Sequence, residues 1–117
     1  MTKQRFFYRK DGILQRINLD EIILLETAGN YVKFYSLEHV HMVRTSLDAA
    51  LSQLPKNHFV QIHRSFVISI DHIVAVGKDF VSLISVPDKV FPLSKKFYAP
   101  LLELIKIIET DSPDSTN

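Results

Sequence analysis

The sequence predicts a mainly β fold, a sandwich or a barrel, with helix in two places. Short runs of β-branched and aromatic residues recur along most of the 117-residue chain, and turn signals separate them at close intervals. Apolar residues take a helical period in only two stretches, at residues 47–54 and after Ser94. The length suffices for one domain with a single modest core.

The first half of the chain predicts strands joined by tight turns. Asp11-Gly12 lies between two strand-like runs, and Asp-Gly in this setting is a signal for a two-residue hairpin turn. Gly29-Asn30 predicts a second turn, after which ring and lysine side chains alternate with Val and Phe, as in a half-buried strand. The strands predicted here are Phe6–Lys10, Ile13–Asn18, Ile22–Ala28, Tyr31–Ser36 and His39–Val43.

A helix of about two turns follows, because three leucines recur at spacings of four and three within residues 47–54. Thr45 or Ser46 supplies its N-cap and Pro55 ends it. The later strands are separated at Gly77-Lys78-Asp79 and at Pro87-Asp88-Lys89. They are predicted at Phe59–Ile62, Phe66–Ile70, His72–Val76, Phe80–Val86 and Val90–Leu93.

The chain is predicted to end in a helix and a tail. Ser94 can cap a helix from Lys95 onward, which either begins near Pro100 or is kinked there. Its apolar stripe comprises Leu101, Leu102, Ile105 and Ile108. Residues 1–108 are therefore taken as the domain. Residues 109–117 hold acidic residues and no cation, and their Asp, Ser, Pro and Thr predict an acidic, disordered tail.

Composition and motifs argue against catalysis. The chain has no cysteine, and it lacks a glycine-rich phosphate loop, a G-x-S-x-G elbow and an H-E-x-x-H helix. We therefore expect no enzyme activity and no cofactor. The apolar runs are too short to span a bilayer, and the first twelve residues lack the apolar core of a secretory signal. A cytoplasmic location, without membrane association, is the expectation.

One pair of histidines leaves a metal-site interpretation open. His39 and His41 lie two residues apart, so on a strand they face the same side and can supply two ligands of a zinc site. The other interpretation is a solvated or half-buried polar face beside Arg44, which is the usual role of an isolated pair of this kind on a strand. A histidine-based metal enzyme would require stoichiometric metal.

Polar and basic residues gather in three clusters at predicted strand ends. Arg, Asn, Gln and His carry the donors and acceptors that read base edges, whereas Lys and Ser suit phosphates, and a helix N-terminus attracts anions. Each cluster alone also fits a solvated rim. The clusters are Gly29, Asn30, Tyr31 and Lys33; Asn57, His58, Gln61, His63, Arg64 and Ser65; and Ser94, Lys95 and Lys96.

Four segments carry a family likeness: Ile22–Phe34 (IILLETAGNYVKF), Arg44–Leu54, Phe59–Ile73 (FVQIHRSFVISIDHI) and Phe91–Phe97 (FPLSKKF). In this order and spacing they resemble the LytTR DNA-binding domain, the output module of bacterial LytR/AgrA-type response regulators. The resemblance covers residues 5 to about 108 and is most specific in the third segment. Ser69 stands where that family usually has Asn.

The resemblance implies an elongated β-sandwich of about ten short strands that lies along DNA, with loops entering successive major grooves. It implies a transcriptional regulator whose partner is double-stranded promoter DNA, expected as a two-copy repeat. The implied base contacts are Asn30 or Tyr31, Arg64 and Lys95. The implied backbone or supporting contacts are Lys33, His63, Ser65, Ser94 and Lys96.

The alternative is a protein-interaction β-module that associates through its edge strands or its C-terminal helix. The helix stripe is also a candidate for self-association as a homodimer on DNA. Retention on heparin or DNA-cellulose, and elution by salt, would separate the two functions.

Overall fold

A computed structural model describes residues 5–110 and confirms a mainly β fold with two helices. This part of the chain contains ten strands. They are β1 (Arg5–Lys10), β2 (Ile13–Asn18), β3 (Leu24–Ala28), β4 (Tyr31–Tyr35), β5 (Val40–Arg44), β6 (Phe59–His63), β7 (Phe66–Ser69), β8 (Ile73–Val76), β9 (Phe80–Leu83) and β10 (Val86–Pro92). The helices are α1 (Leu47–Gln53) and α2 (Lys95–Leu104), and the molecule is elongated, with extents of 58 × 33 × 26 Å.

The strands of residues 5–110 form three antiparallel sheets, of which the central one has five strands in the order β5-β4-β3-β7-β6. The β1–β2 hairpin and α1 cover one of its faces. The sheet β10-β9-β8 and α2 cover the other face. Each face of the central sheet therefore has its own hydrophobic core.

The two-sided burial explains why consecutive apolar residues occur in β3 and β7. Successive side chains of a strand point to opposite faces, so Leu24 and Leu25 enter different cores. In β7, Val67 and Ile68 divide in the same way, and both are fully buried. At these buried positions no alternation of apolar and polar residues occurs, because neither face meets water there.

The local signals for the first hairpin and for α1 are confirmed. Asp11 and Gly12 have φ angles of 52° and 78°, the left-handed conformation that a type I′ hairpin turn requires. Ser46 is the N-cap of α1, and its hydroxyl oxygen accepts a hydrogen bond from the Ala49 amide at 3.1 Å. Leu47 and Ala50 fix the buried face of this helix.

The predicted strand Phe80–Val86 and the predicted turn at Pro87-Asp88-Lys89 are wrong. The strand ends at Leu83, the chain turns at residues 84–85, and β10 runs from Val86 through the three residues expected to turn. The pairing of β9 with β10 is irregular between Val86 and Val90. A bulge of this kind accommodates a proline, which has no N–H to donate to the ladder. Ile70 and His72, each predicted at the end of a strand, lie instead in a 3-10 turn at Ile70–His72.

The C-terminal helix differs from its predicted stripe. Ser94 occupies the N-cap position, although its side chain makes no capping hydrogen bond, and Pro100 lies inside the helix. Leu101 is fully buried, but the helix ends at Leu104, and Ile108, with 95% of its surface exposed, lies beyond it. A run of β-branched isoleucines after Leu104 disfavours continuation. The self-association stripe is correspondingly shorter than expected.

The acidic tail lies mostly outside the described residues, which end at Thr110. Neither helix within residues 5–110 is long and apolar enough to cross a membrane.

We expect Leu101→Ala to lower the free energy of unfolding by about 2–5 kcal/mol, since it leaves a cavity in the core that holds α2 against the sheet. Leu104→Ala is the matched control, because Leu104 is 39% exposed, and should cost about 0.5 kcal/mol or less. Urea denaturation followed by circular dichroism measures both. Equal losses would contradict the assignment of Leu101 as the anchor of α2.

Candidate nucleic-acid interface

Two turns that are far apart in sequence lie side by side at one end of the central sheet. The β3–β4 turn is at Gly29-Asn30, and the β6–β7 turn is at residues 64–65. The pairing of β3 with β7 brings them together, and the Thr27 amide donates a hydrogen bond to the Ser65 carbonyl at 3.0 Å. Neighbouring strands are about 4.8 Å apart, so the two turns are separated by about 10 Å.

The start of α2 is attached to the same end. The Ser94 amide donates a hydrogen bond to the Ile62 carbonyl at 2.8 Å, one residue before the end of β6. The burial of Leu93 and Leu101 in the adjacent core holds the helix in this position. We call the surface formed by residues 29–31, 63–65 and 94–96 together with Arg44 the loop end.

The structure brings eight of the nine predicted contact residues to the loop end. Lys33, the ninth, lies two residues further into the sheet, opposite Glu26. The exposed side chains are Asn30, Tyr31, Arg64, Lys95 and Lys96; those of Lys33, His63, Ser65 and Ser94 are half-buried.

The second sequence cluster is divided by the fold. Asn57 and His58 precede β6, whereas His63, Arg64 and Ser65 follow or end it. Four residues of β6, at positions 59–62, lie between the two groups and separate them by about 15 Å. Asn57 has a φ of 69°, so it serves a left-handed turn at the far end of the sheet rather than the loop end.

The β6–β7 turn is shaped by a side chain. His63 Nδ1 accepts a hydrogen bond from the Ser65 amide at 3.1 Å, which places the proton of the neutral ring on Nε2. The His63 ring also packs against Phe66, with ring centroids 5.8 Å apart. These contacts fix the residues on either side of Arg64 and leave its exposed side chain at the tip of the turn.

A half-buried carboxylate lies just inside the loop end. Glu26 Oε1 accepts a hydrogen bond from the Tyr35 hydroxyl at 2.8 Å. Burial of the phenol, and then this carboxylate, raise the pKa of Tyr35 to about 12. The negative charge of Glu26 is therefore directed towards Tyr35, and Lys33 faces it across the β3–β4 pair.

Sequence reasoning did not include Arg44 among the residues of this surface. It ends β5 directly opposite Tyr31, and its guanidinium carbon lies 5.9 Å from the centroid of the Tyr31 ring. The side chain is exposed. The short connection between β4 and β5 could have indicated this position. Two strands joined by so few residues pair as a hairpin, and that pairing sets residue 44 beside residue 31.

The opposite end of the central sheet is acidic. Asp20, Glu21 and Glu38 line an open cleft of about 390 Å³ there, together with His39 and His72. The cations of the loop end and these carboxylates therefore lie at opposite ends of the same strands. In the field of a polyanion, this separation of positive and negative side chains favours orientations in which the loop end faces the polyanion.

The predicted histidine pair forms, but its environment differs from that of a metal site. The rings of His39 and His41 are 6.1 Å apart, and His41 Nδ1 lies 3.2 Å from the Tyr8 hydroxyl. Burial, and then the neighbouring His39, lower the pKa of His41. Within residues 5–110, no three His, Asp or Glu side chains are grouped so that they could hold a metal ion.

Comparison with known proteins assigns the family. The model of the LytTr DNA-binding domain family matches residues 13–106, and the chain belongs to this family. Its fold is similar to the LytTr DNA-binding domain of a response regulator from Bacillus cereus, with a TM-score of 0.72 and 20% identity over 88% of this chain and 97% of that one. Membership supports DNA binding and a part in transcription regulation.

Two curated relatives are longer proteins. An uncharacterized response regulatory protein of Vibrio cholerae is 34% identical over 68 residues, which are 55% of this chain and 26% of that protein. Sensory transduction protein LytT of Bacillus subtilis is 27% identical over 94 residues, which are 78% of this chain and 39% of that protein. The chain thus spans about a quarter to two fifths of the length of these relatives.

The raised pKa of Tyr35 predicts an alkaline titration step. The folded state holds the phenolic proton more tightly than the unfolded chain. This stabilisation is complete below pH 10, the ordinary value, and is lost as the pH rises through about 12. Phenolate absorbance should show one tyrosine that ionises late, and Tyr35→Phe should remove that step. Tyr98→Phe, at a 37% exposed tyrosine, should leave it intact. A late step that survives in Tyr35→Phe would contradict the assignment.

Proposed function

We propose that the loop end binds double-stranded promoter DNA in a sequence-specific manner and that the chain acts through this binding as a transcriptional regulator, without catalysing a reaction. The supporting observation is the gathering of Asn30, Arg64 and Lys95 at one end of a stiff sheet. Each projects from a separate segment, and backbone hydrogen bonds join those segments. A rigid framework keeps the spacing of the three side chains constant, as base recognition requires.

The separation of the contact segments supports loops that enter successive major grooves. Asn30, Arg64 and Lys95 project from three different segments of the loop end, with that of Arg64 between the other two. A major groove is about 12 Å wide, and the next one lies about 34 Å further along the duplex. The domain, 58 Å in its longest dimension, is large enough to span that distance.

The side chains suit different parts of the duplex. Arg64 can donate two parallel hydrogen bonds to a guanine edge, and Lys95 can donate to the same kind of edge as a point charge. At the first turn, Asn30 or Tyr31 reads a base. Lys33, Ser94 and Lys96 contact phosphates, for which the α2 N-terminus adds free amides, while His63 and Ser65 support the turn that carries Arg64.

The proposal includes the arrangement on DNA. We expect a binding site of two copies, each occupied by one chain, with a homodimer formed on the DNA, and a cytoplasmic location. The decisive experiment selects bound duplexes from a random pool and then measures affinity for the selected sequence. A folded chain that binds no duplex at low salt would refute the function.

Arg64→Ala is expected to weaken binding to the selected duplex by roughly 1–3 kcal/mol, because a bidentate contact to one base is lost. The preference at one base pair should disappear, while preferences elsewhere in the site remain. Fluorescence anisotropy with a panel of single-substitution duplexes measures both effects. Wild-type affinity in Arg64→Ala would show that Arg64 reads no base.

Lys96→Gln is expected to weaken binding to all duplexes about equally and to lower the slope of log affinity against log salt by about one, because one phosphate contact is lost. Lys106→Gln is the matched control, since Lys106 is exposed but lies beyond the far end of α2. A sequence-dependent loss in Lys96→Gln would assign it to a base instead.

A further inference from the structure

Arg44 occupies a position at the loop end that the proposed contact set does not use. It is the last residue of β5, the edge strand of the central sheet, and it pairs directly with Tyr31 on β4. Tyr31 is the first residue after the Gly29-Asn30 turn. The exposed Arg44 side chain therefore lies one strand further out than that turn, about 5 Å away.

The guanidinium of Arg44 lies over the ring of Tyr31. Its central carbon lies 5.9 Å from the centroid of Tyr31, within the range of a cation–π contact. A ring orients a guanidinium without neutralising it, whereas a carboxylate would cancel its charge. The Tyr31 side chain remains 37% exposed, so the pair stays open to solvent and to a ligand.

We propose that Arg44 is a further DNA-binding residue, whose guanidinium contacts a phosphate beside the groove entered by the β3–β4 turn, and that Tyr31 is its positioning residue. This inference rests on the proposed function. Arg44 belongs to the strand ladder and not to the projecting turn, so it reaches the rim of a groove rather than its floor. Its planar fork of donors suits phosphate oxygens.

The contact between Tyr31 and Arg44 also indicates which residue of the β3–β4 turn reads a base. The Tyr31 ring is engaged with Arg44, whereas Asn30 occupies the turn itself with its amide exposed. An asparagine amide can pair with both hydrogen-bonding groups of an adenine edge. Base reading at this turn therefore belongs to Asn30, and the row of DNA contacts extends by one strand to the edge of the sheet.

The experiment compares Arg44→Gln with Arg9→Gln in the full chain, using the selected duplex and an unrelated duplex of equal length. Arg9 is an exposed arginine near the tip of the β1–β2 hairpin, which lies towards the other end of β5 because Tyr8 contacts His41. Arg44→Gln should weaken binding to both duplexes by the same factor and lower the salt slope by about one. Arg9→Gln should leave the slope unchanged.

A double-mutant cycle tests the role of Tyr31. Tyr31→Leu should weaken binding when Arg44 is present and have little effect in the Arg44→Gln background, and Tyr31→Phe, which keeps the ring, should bind as the wild type does. Equal losses from Tyr31→Leu in both backgrounds, or an altered base preference in Tyr31→Phe, would overturn the positioning role.

The failure of this inference is distinguishable from that of the proposed function. If the wild type binds and Lys96→Gln lowers its salt slope while Arg44→Gln does not, Arg44 contacts no phosphate and the proposed function stands. If the folded wild type binds neither duplex, the proposed function fails and this inference fails with it.

Discussion

The pairing of β3 with β7 is the constraint on which the rest of the structure depends. These strands are about forty residues apart in sequence, yet Leu24 pairs with Ile68 and Glu26 with Phe66. That register sets the β3–β4 turn beside the β6–β7 turn. A shift by one residue would also exchange Leu24 and Leu25 between the two cores, so burial on both faces enforces it. The geometry of the loop end is therefore a consequence of core packing.

Division of the interior into two cores explains how a small domain presents a wide surface. The hairpin and α1 are packed on one face of the central sheet, and the second sheet and α2 on the other, while the turns at Gly29-Asn30 and Arg64 remain exposed at the strand ends. The N-terminus of α2 is brought to one of those ends because Leu101 is buried beside β6. The middle of the strands thus forms the cores, whereas the exposed side chains of the loop end lie at the strand ends.

Charged side chains are also divided between the two ends of the central sheet. Glu26, a half-buried carboxylate close to the loop end, accepts a hydrogen bond from Tyr35, and the exposed carboxylates Asp20, Glu21 and Glu38 lie at the other end of the sheet. The exposed side chains of Arg44, Arg64, Lys95 and Lys96 give the loop end its positive charge. Arg44 shows the same principle on a smaller scale, since an aromatic ring orients it and leaves its charge intact.

Local chemistry determined much of this protein from its sequence alone: the hairpin at Asp11-Gly12, the cap of α1 at Ser46, the mainly β fold and the residue types of the three clusters. Each depends on neighbours a few positions apart, which is why periodicity and turn preference suffice to predict it. Only the tertiary structure decided that Asn57 lies away from Arg64, that β10 continues through Pro87, and that the start of α2 lies beside the end of β6. Those features depend on pairing register and packing between separate strands, and no local pattern specifies which strands will meet.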